Sequence, residues 1–227
     1  MRPISVSDYL QLVRPRVLGL VLVSVVVSAF CTAARPFSFP RLLHTVIGTG
    51  LLTAGALALN QWWEMQSDSR MPRTAPRPLP AARLSPRRGG WFGLGLSFIG
   101  MAYLALVARG TALLAVAAVG WLTYLCVYTP LKSRTCWQTP VGAVAGAVPA
   151  LIGAAAVDAL TSPLAWNLFG ILYSWQLPHA MAVAWLYREQ FASAGIKLAP
   201  VVDPSGRSAA ALACAGAAAT WLLGVVP

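Results

Sequence analysis

The sequence predicts an all-α, polytopic transmembrane helical bundle of about seven spans, and three observations carry that reading. Of the 227 residues, 58% are hydrophobic and only 10% charged, with a mean hydropathy of +0.67. Soluble domains carry about 25% charged residues, so too few polar side chains are present to coat a water-soluble globule. The apolar residues also gather in long runs, close to the roughly 20 residues that a helix needs to cross the hydrocarbon layer. The cations, finally, fall in alternate connections between those runs. A net charge of +11 would otherwise suggest a nucleic-acid partner, but arginines spaced between apolar runs fit membrane topology and no nucleic acid is expected.

In order, the runs are 17–34, 42–59, 91–108, 111–128, 141–160, 164–186 and 208–226. The first follows Arg14-Pro15-Arg16 and has the look of a signal-peptide core. It is long for one, and six more runs follow, so it is read as a retained first span. The sixteen residues before it are too few, and too poor in Ser and Arg, for an organelle transit peptide. Gly and Pro inside the later runs are tolerated because neighbouring helices re-satisfy the freed backbone groups. Cys31, Cys126, Cys136 and Cys214 are scattered, with no C-x-x-C pair or Cys/His cluster, so they are read as packing residues. One membrane-embedded domain over 1–227 is the expected organisation.

Lys and Arg concentrate on the cytoplasmic side of membrane proteins. With the N-terminus inside, the inner segments hold 14 of the 17 cations and the outer ones only Arg35, Arg41 and Arg109. The inner loops 60–90, 129–140 and 187–207 hold almost all the polar residues, whereas Ala108-Arg109-Gly110 and the stretch 157–163 are short and bland. Any site is therefore expected on the cytoplasmic face.

The second run ends in Leu59-Asn60-Gln61-Trp62-Trp63-Glu64-Met65-Gln66-Ser67-Asp68. Asn60, Glu64 and Asp68 are spaced by four and form one stripe on a continuing helix. Two carboxylates and a carboxamide suit a hard cation: Mg²⁺ takes one or two carboxylates and fills its other positions with water and substrate phosphates. Arg70, Arg73 and Arg77 follow in a Pro-stiffened segment, and guanidinium groups bind phosphate oxygens in a bidentate fork. A frayed, solvated helix end has no reason to set metal-type ligands at helical spacing beside fixed arginines. The second loop, Tyr128-Thr129-Pro130-Leu131-Lys132-Ser133-Arg134, adds two cations, with Lys132 placed to neutralise a departing diphosphate. A snorkelling lysine that only sets topology is the plainer reading of that residue.

The stretch from Asn60 through Glu64, Asp68 and Met71-Pro72-Arg73-Thr74 to Arg77-Pro78-Leu79 resembles the first signature of the protohaem IX farnesyltransferase (haem O synthase) family, a branch of the intramembrane UbiA-type prenyltransferases. Tyr128-Thr129-Pro130-Leu131-Lys132, the segment 142–149 and Leu172-Tyr173-Ser174-Trp175-Gln176-Leu177-Pro178-His179 are similar to its later segments, so the likeness runs from about residue 8 to 202. The resemblance implies a helical bundle around a lipid-accessible cavity, in which Mg²⁺ assists ionisation of farnesyl diphosphate and the farnesyl carbon joins a vinyl group of haem b to give haem O. Haem b is then substrate and not prosthetic group. The resemblance places the chain in a bacterial inner membrane, beside haem A synthase or terminal-oxidase assembly factors. It assigns Asn60, Glu64, Asp68 and Lys132 to catalysis and Asn60, Glu64 and Asp68 to the metal, with Glu189 a further metal candidate. Arg70, Arg73, Arg77, Lys132, Arg134 and Arg188 are the diphosphate set. Family members have nine spans, so this chain is expected to lack the last two, and Gln190 stands where they carry an aspartate.

His179, an ionisable residue within a span, and Tyr128 are the candidates for the haem or acceptor. A hydrogen-bonded packing histidine is the equal alternative. His44 is read as packing, and Trp62, Trp63, Trp175 and Trp185 as an ordinary interfacial belt. Two other functions stay open: prenylation of a quinone-type acceptor, and a weak or inactive paralogue in haem handling or oxidase assembly.

Overall fold

The protein is described by a computed structural model covering residues 5–34, 36–107 and 111–225. Arg2, Arg35 and Arg109, three of the cations used to orient the chain, lie outside the described residues. The described residues form helices and no strand. A short helix α1 (Val6–Leu12) precedes the long α2 (Pro15–Thr32) and α3 (Phe39–Trp63), and α4 (Met65–Asp68) is a single turn. Next come α5 (Pro86–Val107) and α6 (Thr111–Leu122), the latter continuing through a π-helical stretch, Thr123–Tyr128, into α7 (Thr129–Leu131). The chain then forms α8 (Gln138–Ala156), α9 (Pro163–Leu186), the short α10 (Arg188–Ser193) and α11 (Ala199–Val202), and α12 (Arg207–Val225).

Among the described residues six helices are long and apolar enough to cross a membrane: Pro15–Thr32, Phe39–Trp63, Pro86–Leu106, Thr111–Leu131, Gln138–Ala156 and Arg207–Val225. The seventh expected span is α9, whose 24 residues reach about 36 Å at 1.5 Å per residue, enough for the roughly 30 Å core. Its Asn167, Ser174, Gln176 and His179 dilute its hydropathy. Most helices start or stop a few residues beyond the apolar runs at the loop-rich end, and α3 also starts three residues early at the far end. At the opposite end one expectation is corrected. The fifth span stops at Ala156 and not at 160, because Asp158 takes a left-handed φ of 58°. That connection is not bland either: the Asp158 carboxylate clasps Arg41 of α3, with one N···O distance of 2.9 Å.

Close packing of small residues builds the bundle. α3 lies along α5 so tightly that a Cβ on Gly100 would stand 2.4 Å from the Leu52 amide nitrogen. Without a hydrophobic drive between helices in lipid, such backbone approach and its dispersion contacts take over. α2 docks on α8 in the same manner, with Ser28 donating to the Ala150 carbonyl at 2.6 Å. α9 bridges α8 and α12. Val25, Leu52, Leu104, Leu113, Val148 and Ile152 form the central apolar cluster. The four cysteines are free thiols.

At the loop-rich end three connections knit into one roof. Met71 of the first inserts among Met181, Ala184, Ile196 and Leu198, and the Arg73 guanidinium sits 5.2 Å from the Tyr187 ring centroid. The second and third connections join where the Lys197 amide donates to the Lys132 carbonyl at 2.8 Å. Arg83 ties the first connection to α1 through Asp8 at 2.6 Å and Gln11 at 2.7 Å.

Candidate active site

The expected metal stripe is realised in the backbone. The amide of Glu64 donates to the Asn60 carbonyl at 2.9 Å and that of Asp68 to the Glu64 carbonyl at 2.8 Å, so α3 passes into α4 with little loss of helical register. Asn60 is fully buried. Its Nδ2 donates to Thr129 Oγ1 at 3.0 Å, and that hydroxyl donates onward to the Tyr124 carbonyl at 2.8 Å. Because the single hydroxyl proton is spent on Tyr124, Thr129 meets Asn60 as an acceptor. This fixes the amide and leaves Asn60 Oδ1 buried without a partner. The π-helical stretch makes the relay possible: Tyr124 accepts from both the backbone and the side chain of Thr129, five residues on.

Both carboxylates are held by cations from elsewhere in the roof. Glu64 pairs with Lys132, and Asp68, 2% exposed, pairs with Arg77. Burial works against the Lys132 ammonium, yet Glu64 foremost, then the Tyr128 and Tyr124 hydroxyls, outweigh it, and the pKa stands above the ordinary lysine value. For Arg77 the balance runs the other way. Burial and the charge of Arg14 hold its pKa below the usual value despite Asp68 beside it.

Two neighbouring spaces lie here. A polar cleft of about 300 Å³ is lined by Glu64, Arg70, Thr129, Lys132 and Arg134. A second cavity of about 340 Å³ runs into the bundle between α2, α3, the π-helical stretch, α8 and α9. Its walls are largely apolar, among them Val21, Leu52, Ala117, Val148 and Ile152, while Arg14, Tyr124, Tyr128, Gln138, Thr139 and Gln176 also line it. Lys132 lies 4.4 Å from the Tyr128 ring centroid, at the border of the two spaces. Arg14 Nε, Thr49 Oγ1 and Thr139 Oγ1 line the inner cavity buried and without partners, and buried polar groups left so are costly unless something else satisfies them.

Of the residues expected from sequence, the fold brings together Asn60, Glu64, Asp68, Arg70, Arg77, Tyr128, Lys132 and Arg134. Arg73 is near, held over Tyr187. Three residues are not brought to the site. His179 stacks on Trp175 with the rings 5.1 Å apart and nearly parallel, both side chains exposed on the outside of α9. Ala180, which lines the cavity, is one residue and so about 100° away. Arg188 lies over the Trp185 ring, and the Glu189 side chain is 90% exposed. Sequence reasoning missed Arg14, Gln138, Thr139 and Gln176. For Arg14 a signal was present: Pro15 at the first helical position fixes the helix start, which leaves Arg14 at the cap, in a left-handed conformation with φ 45°.

A divalent cation fits the donor set. The free Oδ1 of Asn60 and the carboxylates of Glu64 and Asp68 follow one helical stripe, and all are hard oxygen ligands. Among the described residues no group of three His, Cys, Asp or Glu gathers, so the remaining positions would fall to water and phosphate.

The profile of the UbiA prenyltransferase family matches residues 21–227. A protein of Solibacter usitatus named protoheme IX farnesyltransferase is 45% identical over 89% of this chain and 72% of its own length. A Rhodopirellula baltica protein of the same name is 41% identical over 96% and 76%. Among solved structures, a UbiA homologue from Archaeoglobus fulgidus bound to GPP and Mg²⁺ superposes with a TM-score of 0.76 at 17% identity, covering 95% of this chain and 76% of that one. The apo UbiA homologue from Aeropyrum pernix gives 0.77 at 20% identity over 92% and 77%. At these identities the structural likeness concerns the fold.

Proposed function

The chain belongs to the UbiA prenyltransferase family, in its protohaem IX farnesyltransferase branch, and from that premise we propose that it transfers the farnesyl group of farnesyl diphosphate to a vinyl group of haem b, forming haem O. The observation that carries the reading is the amphipathic inner cavity, apolar along the bundle and lined by Arg14 and by Tyr128, over whose ring Lys132 sits. An isoprenoid suits its walls, and a diphosphate suits its mouth.

In this reading Asn60, Glu64 and Asp68 would hold Mg²⁺, which would supply charge neutralisation to the diphosphate. Lys132, Arg77 and Arg14 accept the departing diphosphate with fixed positive charge, where negative charge develops. Arg70 and Arg134 draw the substrate into the cleft. Tyr128 and Tyr124 line the path of the allylic cation, which their ring faces stabilise. The packed walls keep bulk water from quenching that cation. One carbon–carbon bond forms between farnesyl and vinyl. One water then adds its hydroxyl to the neighbouring vinyl carbon and releases its proton, and diphosphate leaves. Both substrates enter from the bilayer, with the N-terminus and the roof in the cytoplasm of a bacterial inner membrane.

One observation speaks for a weak or silent paralogue: Gln190 is neutral where relatives are expected to carry an acid. The paired carboxylates of the first connection speak against it. The assay that decides gives membranes expressing the chain haem b, farnesyl diphosphate and Mg²⁺, with product read by mass. Haem O from the unaltered chain and none from Asp68→Asn is the expected result. Silence from the unaltered chain together with product from Gln190→Asp would establish a synthase fold that has lost its chemistry. Silence from both, in well-folded protein, would overturn haem as the acceptor.

A further inference from the structure

Arg87, Arg88, Trp91 and Phe92 share one side of the first turns of α5, because residues three and four apart are neighbours on a helix. Gly89 and Gly93 of the same turns face the interior, against Leu79 and Leu59. With Tyr9 of α1, the four side chains line an open groove of about 660 Å³. Tyr9 meets Phe92 edge-on, 4.8 Å between ring centroids, so α1 forms one wall and α5 the other.

Both arginines are exposed, and the chain offers them no anion. All six carboxylates are among the described residues, and none pairs with Arg87 or Arg88. Asp8, next to Tyr9 in the chain, holds Arg83 at 2.6 Å, and Asp158 holds Arg41 at the far end. Glu64 and Asp68 pair with Lys132 and Arg77. Glu189 lies beside Arg188, and Asp203 accepts from Ser205 and Ser208. An arginine that only orients the chain has to lie on the inner side, but it needs no aromatic groove.

The groove also has an apolar side. Trp91, Leu94 and Phe98 are exposed in succession along α5, and Val6 and Leu10 are exposed on α1. Asp8 and Leu12 of α1 are buried, so this helix gives its polar contacts to the roof and leaves apolar side chains outside, as a helix in the membrane interface does. An occupant that matches the whole surface carries negative charge at one end and hydrocarbon at the other. A free phosphate or an acidic peptide meets only the first requirement. A prenyl diphosphate has the right outline, but its several charges call for a metal ion, and no carboxylate lines the groove to hold one. A phospholipid with a net negative headgroup meets both requirements, and basic pockets at this boundary suit such headgroups.

We propose that the groove between α1 and α5 seats an anionic phospholipid, with its phosphate between Arg87 and Arg88 and an acyl chain along Trp91, Leu94 and Phe98. The lipid is then coupled to the roof through α1, since Arg83 bonds Asp8, Gln11 and the Pro76 carbonyl beside Arg77. The inference does not depend on which acceptor the enzyme uses.

Native mass spectrometry of the full chain in detergent, titrated with phosphatidylglycerol or with phosphatidylcholine of the same acyl chains, tests the proposal. The first phosphatidylglycerol should bind about twenty-five-fold more tightly than phosphatidylcholine, roughly fivefold for each arginine. Arg87→Gln combined with Arg88→Gln should bring the two lipids to equal affinity. Arg16→Gln combined with Arg207→Gln removes the same charge from exposed positions outside the groove and should keep the preference. Arg88→Gln alone, with a loss of about fivefold, serves if the double variant fails to fold. Equal affinity for both lipids in the unaltered chain, a full preference surviving in the folded groove variants, or an equal loss in the charge-matched control would each overturn the proposal. Release of bound phosphatidylglycerol by millimolar phosphate or pyrophosphate would overturn it as well, by marking a general anion patch.

Discussion

At the scale of single residues, the relay from Asn60 through Thr129 to the Tyr124 carbonyl sets which end of the Asn60 amide is free. Thr129→Val keeps the shape and removes the hydroxyl that both orients Asn60 Nδ2 and satisfies Tyr124. A hydrogen bond of this kind contributes about 1 kcal/mol, roughly fivefold in an equilibrium. We expect the Mg²⁺ concentration for half-maximal activity to rise about fivefold, by the same relation, with little change at saturating Mg²⁺. An Mg²⁺ titration of product formation checks this, and a lower kcat with an unchanged Mg²⁺ requirement would refute the role. Asn60, Glu64 and Asp68 were legible in the sequence because their spacing survives wherever the backbone stays helical. Thr129 as orienting partner was not, since it lies 69 residues away and meets Asn60 only through the fold. His179 was misleading for a related reason: the sequence shows that an ionisable residue lies within a span, but which side of α9 faces the cavity depends on where α8 and α12 pack.

The helices themselves were legible from run length alone, while their contacts were not. Nothing in a row of glycines tells which of them meets a neighbouring backbone. Gly100 and Gly95 share α5, yet a Cβ on Gly100 would collide with Leu52 of α3, whereas Gly95 has nothing within 4 Å. Gly100→Ala should therefore pry α3 from α5 and cost about 1–3 kcal/mol, the usual range for overpacking. Gly95→Ala should be neutral or slightly stabilising, since Ala is the better helix former. Thermal unfolding of the two variants in the same detergent measures the difference, and equal midpoints would contradict the close crossing. The start of α12 offers a pH test. Hydrogen bonds from Ser205 and Ser208 lower the Asp203 pKa from 3.8 to about 2. A depressed carboxylate pKa stabilises fully above the unfolded value and loses that contribution as pH falls through the folded one. Fraying of the segment 203–208, followed by hydrogen exchange, should thus be constant above about pH 5 and increase from about pH 4 down to 2. Asp203→Asn should flatten that dependence.

Over the whole molecule, charge separates by end. Among the described residues the loop-rich end carries 13 of the 14 cations and five of the six carboxylates, a net of +8. The one described cation at the far end, Arg41, is moreover clasped by Asp158, so its charge is largely cancelled where topology is decided. Positive charge held on the cytoplasmic side is the dominant orienting signal, and among the described residues no unpaired cation at the far end competes with it. In the proposed reaction the same cations would serve the site, because anionic substrate and orienting signal both require positive charge at one boundary. Two exposed positions read the outcome: Ser69 in the roof and Thr161 in the connection between α8 and α9. With the four native cysteines replaced by serine, Ser69→Cys should resist a membrane-impermeant maleimide in intact spheroplasts and react in inverted vesicles. Thr161→Cys should do the opposite. Labelling of Ser69→Cys from outside would reverse the chain in the membrane and put the diphosphate site on the side away from a cytoplasmic supply of prenyl diphosphate, which the proposed reaction could not use.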